Sequence, residues 1–181
     1  MTHKEIKQWL DAHLIENYTI GSDGVVDVAG DVILDRFDQI LAIPVQFGNV
    51  SGEFNCNNTK ITSLKGAPHH VDGNFRCSFT KVESLEYAPH YVGGYFSCYT
   101  TQVKSLSGVD KIVKHVGSDF ICDDGVTHAL GLLLIEGIVK INIDGTDGKV
   151  NAIMNKYLGT GDILSAQDEL IDAGFIDQAR L

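Results

Sequence analysis

The chain reads as a β-rich solenoid of roughly five coils, closed by an N-terminal helix and a C-terminal helical hairpin. Three features carry this reading. One phrase recurs three times across residues 50–106 at a spacing of about 21 residues, within the range of solenoid repeats. Each copy alternates apolar and polar residues over its first half, as a strand with one buried face does. Outside the repeat, both ends of the chain carry amphipathic helical spacing, and the open ends of a solenoid need such atypical cover.

The first clear copy is Val50-x-Gly52-x-Phe54-x-Cys56, continued by Ile61, Leu64 and Pro68. It returns as Val71, Gly73, Phe75, Cys77, Val82, Leu85 and Pro89, then as Val92, Gly94, Phe96, Cys98, Val103 and Leu106. Upstream, Val28, Gly30, Val32 and Leu34 form a degenerate first coil, with Ile40, Ile43 and Pro44 matching its second half. Downstream, Val116, Phe120, Cys122, Val126 and Leu130 repeat the phrase after a short insertion at residues 110–114.

The flanking elements follow from local chemistry. Thr2 and Glu5 make a capping-box pattern, and Ile6, Trp9, Leu10 and Leu14 fall on one face, which predicts an amphipathic cap helix. Residues 18–20 and the alternating stretch 26–34 are strands about a turn at residues 21–24. Residues 132–135 and 138–143 read as buried strand or mixed structure, ending at a turn over 144–148. Val150, Ile153, Met154, Tyr157 and Leu158 keep helical spacing. Asp162 is a natural N-cap for a second helix carrying Ile163, Leu164, Leu170 and Ile171, and Gly174 offers its C-cap. One domain spans 1–181: a cap helix over 1–17, the solenoid over 18–143 and C-terminal helices over 144–181. That hairpin either caps the far end or presents a face for homo-oligomerisation.

The repeats have the register L-x-L-x-x-N-x-L: residues 54–61, 75–82 and 96–103 match it, with Leu64, Leu85 and Leu106 three residues later. On these residues the chain resembles leucine-rich-repeat proteins. The fuller phrase V-x-G-x-F-x-C … S-L-x-G-A-P resembles leucine-rich-repeat-like proteins encoded by tailed bacteriophages. That resemblance implies a host protein as partner, a host-takeover or anti-defence role as an inhibitor, and the host cytoplasm as its location. Thr59, Thr80 and Thr101 stand where the leucine-rich pattern carries Asn. A hydroxyl reaches less far than an amide, which leaves room for a flatter, β-rich coil.

Composition narrows the function classes. The net charge of -10 argues against direct nucleic-acid binding, which needs clustered Lys and Arg. Residues 1–5 lack an apolar leader region, and the most apolar stretch, 129–139, is too short to span a bilayer, so a cytoplasmic protein with no membrane partner is expected. The spacing of Cys56, Cys77, Cys98 and Cys122 follows the repeat, so they are expected as a buried column; a ladder spreads thiols along a line, whereas zinc needs four converging ligands.

No catalytic constellation with specific spacing is present, and neither an enzyme nor a cofactor is expected. Residues 145–149 lack the phosphate-loop frame, and Asp144 with Asp147 does not fit a calcium loop. His69, His70 and His90, with Asp72 nearby, would gather at one solenoid corner, where histidines can hold a metal or respond to pH. We assign the recurrence to the turn and expect no metal.

What remains is surface. With Phe and Cys inward, the alternate residues face out in rows: Asp31, Ile33, Asp35; Glu53, Asn55, Asn57; Asn74, Arg76, Ser78; Tyr95, Ser97, Tyr99; Asp119, Ile121, Asp123. Tyr and Arg are the residues most enriched at binding hot spots. The expected function is therefore a non-enzymatic protein-binding module whose partner-binding residues are Glu53, Asn55, Asn74, Arg76, Tyr95, Tyr99, Asp119 and Asp123. The alternative is an acidic mimic of DNA that occupies the nucleic-acid site of a host protein.

Overall fold

A computed structural model of the chain describes all residues except Thr146 and Asp147. The expected turn over 144–148 contains both, so that part of it lies outside the described residues. Helix α1 (His3–Ala12) opens the chain, and the Thr2–Glu5 capping box forms as the sequence predicts. The strands β1 (Tyr18–Ile20) and β2 (Val25–Val28) make an antiparallel hairpin, and every later pairing is parallel.

Each of the first five coils contributes two short strands separated by a glycine corner, and the sixth contributes one. One sheet takes β1, β2, β4 (Gln46–Val50), β6 (His70–Val71), β8 (Tyr91–Val92) and β10 (His115–Val116). The other takes β3 (Val32–Ile33), β5 (Phe54–Asn55), β7 (Phe75–Arg76), β9 (Phe96–Ser97), β11 (Asp119–Asp123) and β12 (Lys140–Asp144). The result is a β-solenoid of about 6 turns, roughly 21 residues apart. The extra turn relative to the expected five is β12. Ile141 pairs with Phe120 and Ile143 with Cys122, so an Ile-x-Ile pair replaces Phe-x-Cys and hides the last rung from a search for the phrase.

Between the sheets the repeat builds columns. Phe54, Phe75, Phe96 and Phe120 are fully buried, with successive ring centres 5.7, 5.0 and 4.8 Å apart. Phe47 continues this stack towards Trp9 of α1, 6.3 Å away, which is how the cap helix closes the open end. Leu14 is not on the buried face as its spacing suggests. The helix ends earlier, and Leu14 is 71% exposed in a left-handed conformation, φ 57. Ile15 N–H donates to the Leu10 carbonyl and Leu14 N–H to that of Asp11, a Schellman stop that turns Ile15 inward instead.

The threonines that replace the Asn of the leucine-rich pattern do not bridge coils. Thr59, Thr80 and Thr101 donate to the carbonyls of Cys56, Cys77 and Cys98 in their own coil, at 2.7, 2.7 and 3.0 Å, and so tie each turn to itself. The corner glycines answer to close approach: a Cβ on Gly73 would lie 2.7 Å from the carbonyl oxygen of Gly52 in the previous coil.

A short helix α2 (Val109–Ile112) overlaps the insertion at residues 110–114, and Ala129–Leu134, which overlaps the stretch read as buried strand or mixed structure, forms a 3-10 helix. Leu130, Leu132 and Leu133 of this helix are buried and Leu134 is exposed, a pattern that does not alternate. Helices α3 (Lys149–Tyr157) and α4 (Ile163–Asp172) then fold back, with Asp162 capping α4 and Gly174 ending it. Among the described residues no helix is long and apolar enough to cross a membrane.

Candidate interaction face

The outer face of the second sheet is where the sequence places its binding residues, and the structure divides them in two. Arg76, Tyr95 and Tyr99 come together around a depression of about 380 Å³. Phe79, Ile121, Asn142 and Asp144 also line it, together with Asn57, Ser78 and Ser97. Asn74, Glu53 and Asp123 instead hold neighbouring coils together. Asn74 accepts from the Tyr95 amide and donates to Glu53, which also meets Arg76 at 3.4 Å. Asp123 accepts from the Thr100 and Thr101 amides.

Asn55 is a correction to the outward face: it is 4% exposed, its amide donating to Asp35 and its carbonyl accepting from the Asn57 backbone. Coils stacked at strand spacing, about 4.8 Å, leave a short polar side chain enclosed by its neighbours above and below. Asn57, Ser78 and Ser97 are buried for the same reason, with Asn57 accepting from the Ser78 amide and Ser78 bonding Ser97 at 2.7 Å. In the middle coils Arg76, Tyr95 and Tyr99 reach past this layer and stay partly exposed. Asp119 stays half-buried beside Lys140, its register partner on β12.

Phe79 is the residue that alternation misses. It follows Ser78 in the turn where Asn58 and Thr100 occupy equivalent left-handed positions, with φ 59, 57 and 53 for Asn58, Phe79 and Thr100. Asn tolerates that region; a bulky aromatic there is strained. Phe79 is nevertheless 51% exposed and meets Tyr99 edge-on, ring centres 5.5 Å apart at 87°. The signal available in sequence was an aromatic at a position where the preceding copy has Asn. Asn142 and Asp144 were missed because β12 was not recognised as a rung.

The tyrosines have their backbones fixed and their tips free. Tyr95 N–H donates to Asn74 and Tyr99 N–H to Ser78, while neither hydroxyl has a hydrogen-bond partner among the described residues. The Arg76 guanidinium carbon stands 6.0 Å from the Tyr95 ring centre. The outward positions of the sheet carry the carboxylates of Asp31, Asp35, Glu53, Asp119, Asp123 and Asp144 against the cations of Arg76 and Lys140, so the face as a whole is net negative.

Other candidate chemistry resolves into structure. Cys56, Cys77, Cys98 and Cys122 form a buried column of free thiols. Sγ of Cys56, Cys77 and Cys98 donates to the next coil's carbonyl at Arg76, Ser97 and Ile121, at 3.3, 3.5 and 3.6 Å. Burial pushes all four thiols up, Cys56 to about 12, which makes them poor nucleophiles. Among the described residues no three His, Cys, Asp or Glu side chains converge on a metal position.

The histidines split between two columns rather than sharing one corner. His69 and His90 meet edge-on at the corner. His70 belongs to the outer face of the first sheet, where it stacks on Tyr91 at 4.3 Å and Tyr91 on His115 at 4.6 Å, with Asp72 bonding the His70 ring at 2.9 Å. Two further hollows, about 410 and 570 Å³, flank the loop carrying exposed Leu41. Comparison with protein-family models, with curated proteins and with solved structures finds no match to this chain.

Proposed function

We propose that the chain is a non-catalytic protein-binding module that grips another protein through the outer face of its second sheet. The observation that carries this reading is the Arg76–Phe79–Tyr95–Tyr99 depression: large, rigid side chains on a braced backbone, with free hydroxyls and an aromatic held out under strain. Rigid aromatics and arginine supply contact area at little entropic cost, and solenoids bind through such extended sheet faces.

The resemblance to phage-encoded repeat proteins extends the proposal to a host protein that the module inhibits, in a host-takeover or anti-defence role. This extension rests on analogy of sequence pattern alone. The acidic mimic of DNA is the weaker reading, because Asp35, Glu53 and Asp123 already accept bonds from the solenoid itself. Carboxylates that replace phosphates must be free to face the partner.

The test is capture from a bacterial lysate by the wild-type chain and by the Tyr95→Ala, Tyr99→Ala double variant, with circular dichroism as a check on folding. Loss of a specifically captured protein with an unchanged spectrum is the expected result. Equal capture by both chains overturns the assignment of the face, and capture that collapses with modest salt and competes with duplex DNA favours the mimic instead.

A further inference from the structure

The chemistry of the depression specifies what kind of group enters it. Phe79 and Tyr99 meet at nearly a right angle and form two walls, and Tyr95 forms part of a third. Asp144 lies at the rim, exposed and without an ion-pair partner among the described residues. On the coils that carry the depression, the carboxylates of Glu53, Asp119, Asp123 and Asp144 outnumber the cations of Arg76 and Lys140, and Arg76 is already paired with Glu53. Aromatic rings present negative potential at their faces, and a cation is attracted over them, more strongly as it is desolvated. Tyr95 already has such a neighbour in Arg76.

An anionic ligand would meet a net negative field here, and a purely apolar one would leave Asp144 and the tyrosine hydroxyls unused. From this complementarity we infer that the depression receives the side-chain cation of a lysine or arginine in a basic segment of the partner protein. The inference rests on the binding-module reading, since it fills the same face. It also accounts for Phe79: the ring that gives the hollow its wall is the one held in a strained backbone conformation.

The experiment is an NMR titration of the intact, isotope-labelled chain with four capped peptides, Gly-Ser-X-Ser-Gly, in which X is lysine, arginine, norleucine or glutamate. Lysine and arginine peptides are expected to shift the signals of Phe79, Tyr95, Tyr99 and Ile121, while norleucine and glutamate peptides leave them in place. Asp144→Asn and Tyr99→Ala should each weaken the lysine response by about threefold; the exposed Asp144 substitution leaves the core untouched, so folding does not obscure it.

A norleucine peptide that binds as well as lysine overturns the cation inference while leaving a binding face in place. Absence of any shift on this face overturns the inference too, and the module reading then stands or falls on the double-tyrosine capture alone.

Discussion

Asn155 pairs in both directions with the peptide unit of Ile141: its carbonyl accepts from the Ile141 N–H at 2.8 Å and its amide donates to the Ile141 C=O at 2.7 Å. One turn earlier on α3, Asn151 does the same with Ile143, at 2.7 and 3.1 Å. Four residues of helix advance about 6 Å and two residues of strand about 6.6 Å, so the two spacings match. Two side-chain amides thereby stand in for the missing seventh strand and close the edge of β12.

Removing that edge cover has a measurable result. Asn155→Ala leaves the Ile141 peptide without this partner and should destabilise by about 1–3 kcal/mol. The double Asn151→Ala, Asn155→Ala variant should also associate in a concentration-dependent manner, because an open strand edge invites pairing with another chain. Light scattering and urea titration read both; a double variant that stays monomeric and as stable as wild type rules out the edge-capping role.

Phe79→Asn should separate stability from binding. Asn tolerates the left-handed backbone that costs a bulky L-residue about 1–2 kcal/mol, so the melting temperature should hold or rise. Capture of the partner should fall. A substitution that lowers stability would show that Phe79 is there for packing.

Leu14→Gly addresses the same backbone conformation at the end of α1. Gly is the preferred residue at this position of a Schellman stop, and the exposed Leu14 side chain contributes no buried contact. A gain of about 1 kcal/mol is expected. A loss of stability would indicate that Leu14 makes an apolar contact of its own.

Gly73→Ala tests the corner. Its Cβ would meet backbone atoms of Gly52 and Glu53 at 2.7 to 3.0 Å, and backbone cannot swing aside as a side chain can. We expect destabilisation of about 1–3 kcal/mol by overpacking. A neutral substitution would show that adjacent coils can separate freely at the corner.

The thiol column makes stability fall in alkali. In the unfolded chain a cysteine loses its proton near pH 8.5. In the fold burial holds Cys56 protonated to about 12, and raises the other three in the same direction. The contribution is therefore whole below pH 8.5 and is lost as pH rises through the folded value, at about 1.4 kcal/mol per unit for each thiol. Urea midpoints at pH 8 and pH 9.5 should differ, and Cys77→Val should reduce the difference. Equal slopes for the two proteins would mean that Cys77 does not titrate on unfolding.

The sequence by itself determined the parts of this protein that depend on period and on local chemistry. The 21-residue recurrence places Val, Phe, Cys and Leu in inward columns, because stacking repeats one environment at each coil and only similar side chains fill it. Capping of α1 by Thr2 and of α4 by Asp162, and the stop at Gly174, were legible because each depends on residues within a few positions. The tertiary structure alone decided which outward residues remain available. Asn55 and Arg76 occupy equivalent rungs, yet one is enclosed and the other lines a depression, because the length of a side chain against the coil spacing determines whether it clears its neighbours. It also decided that Ile141 and Ile143 complete the sheet and that two asparagines on a helix seal it, since an exposed strand edge is satisfied by whatever donors and acceptors the fold brings into reach.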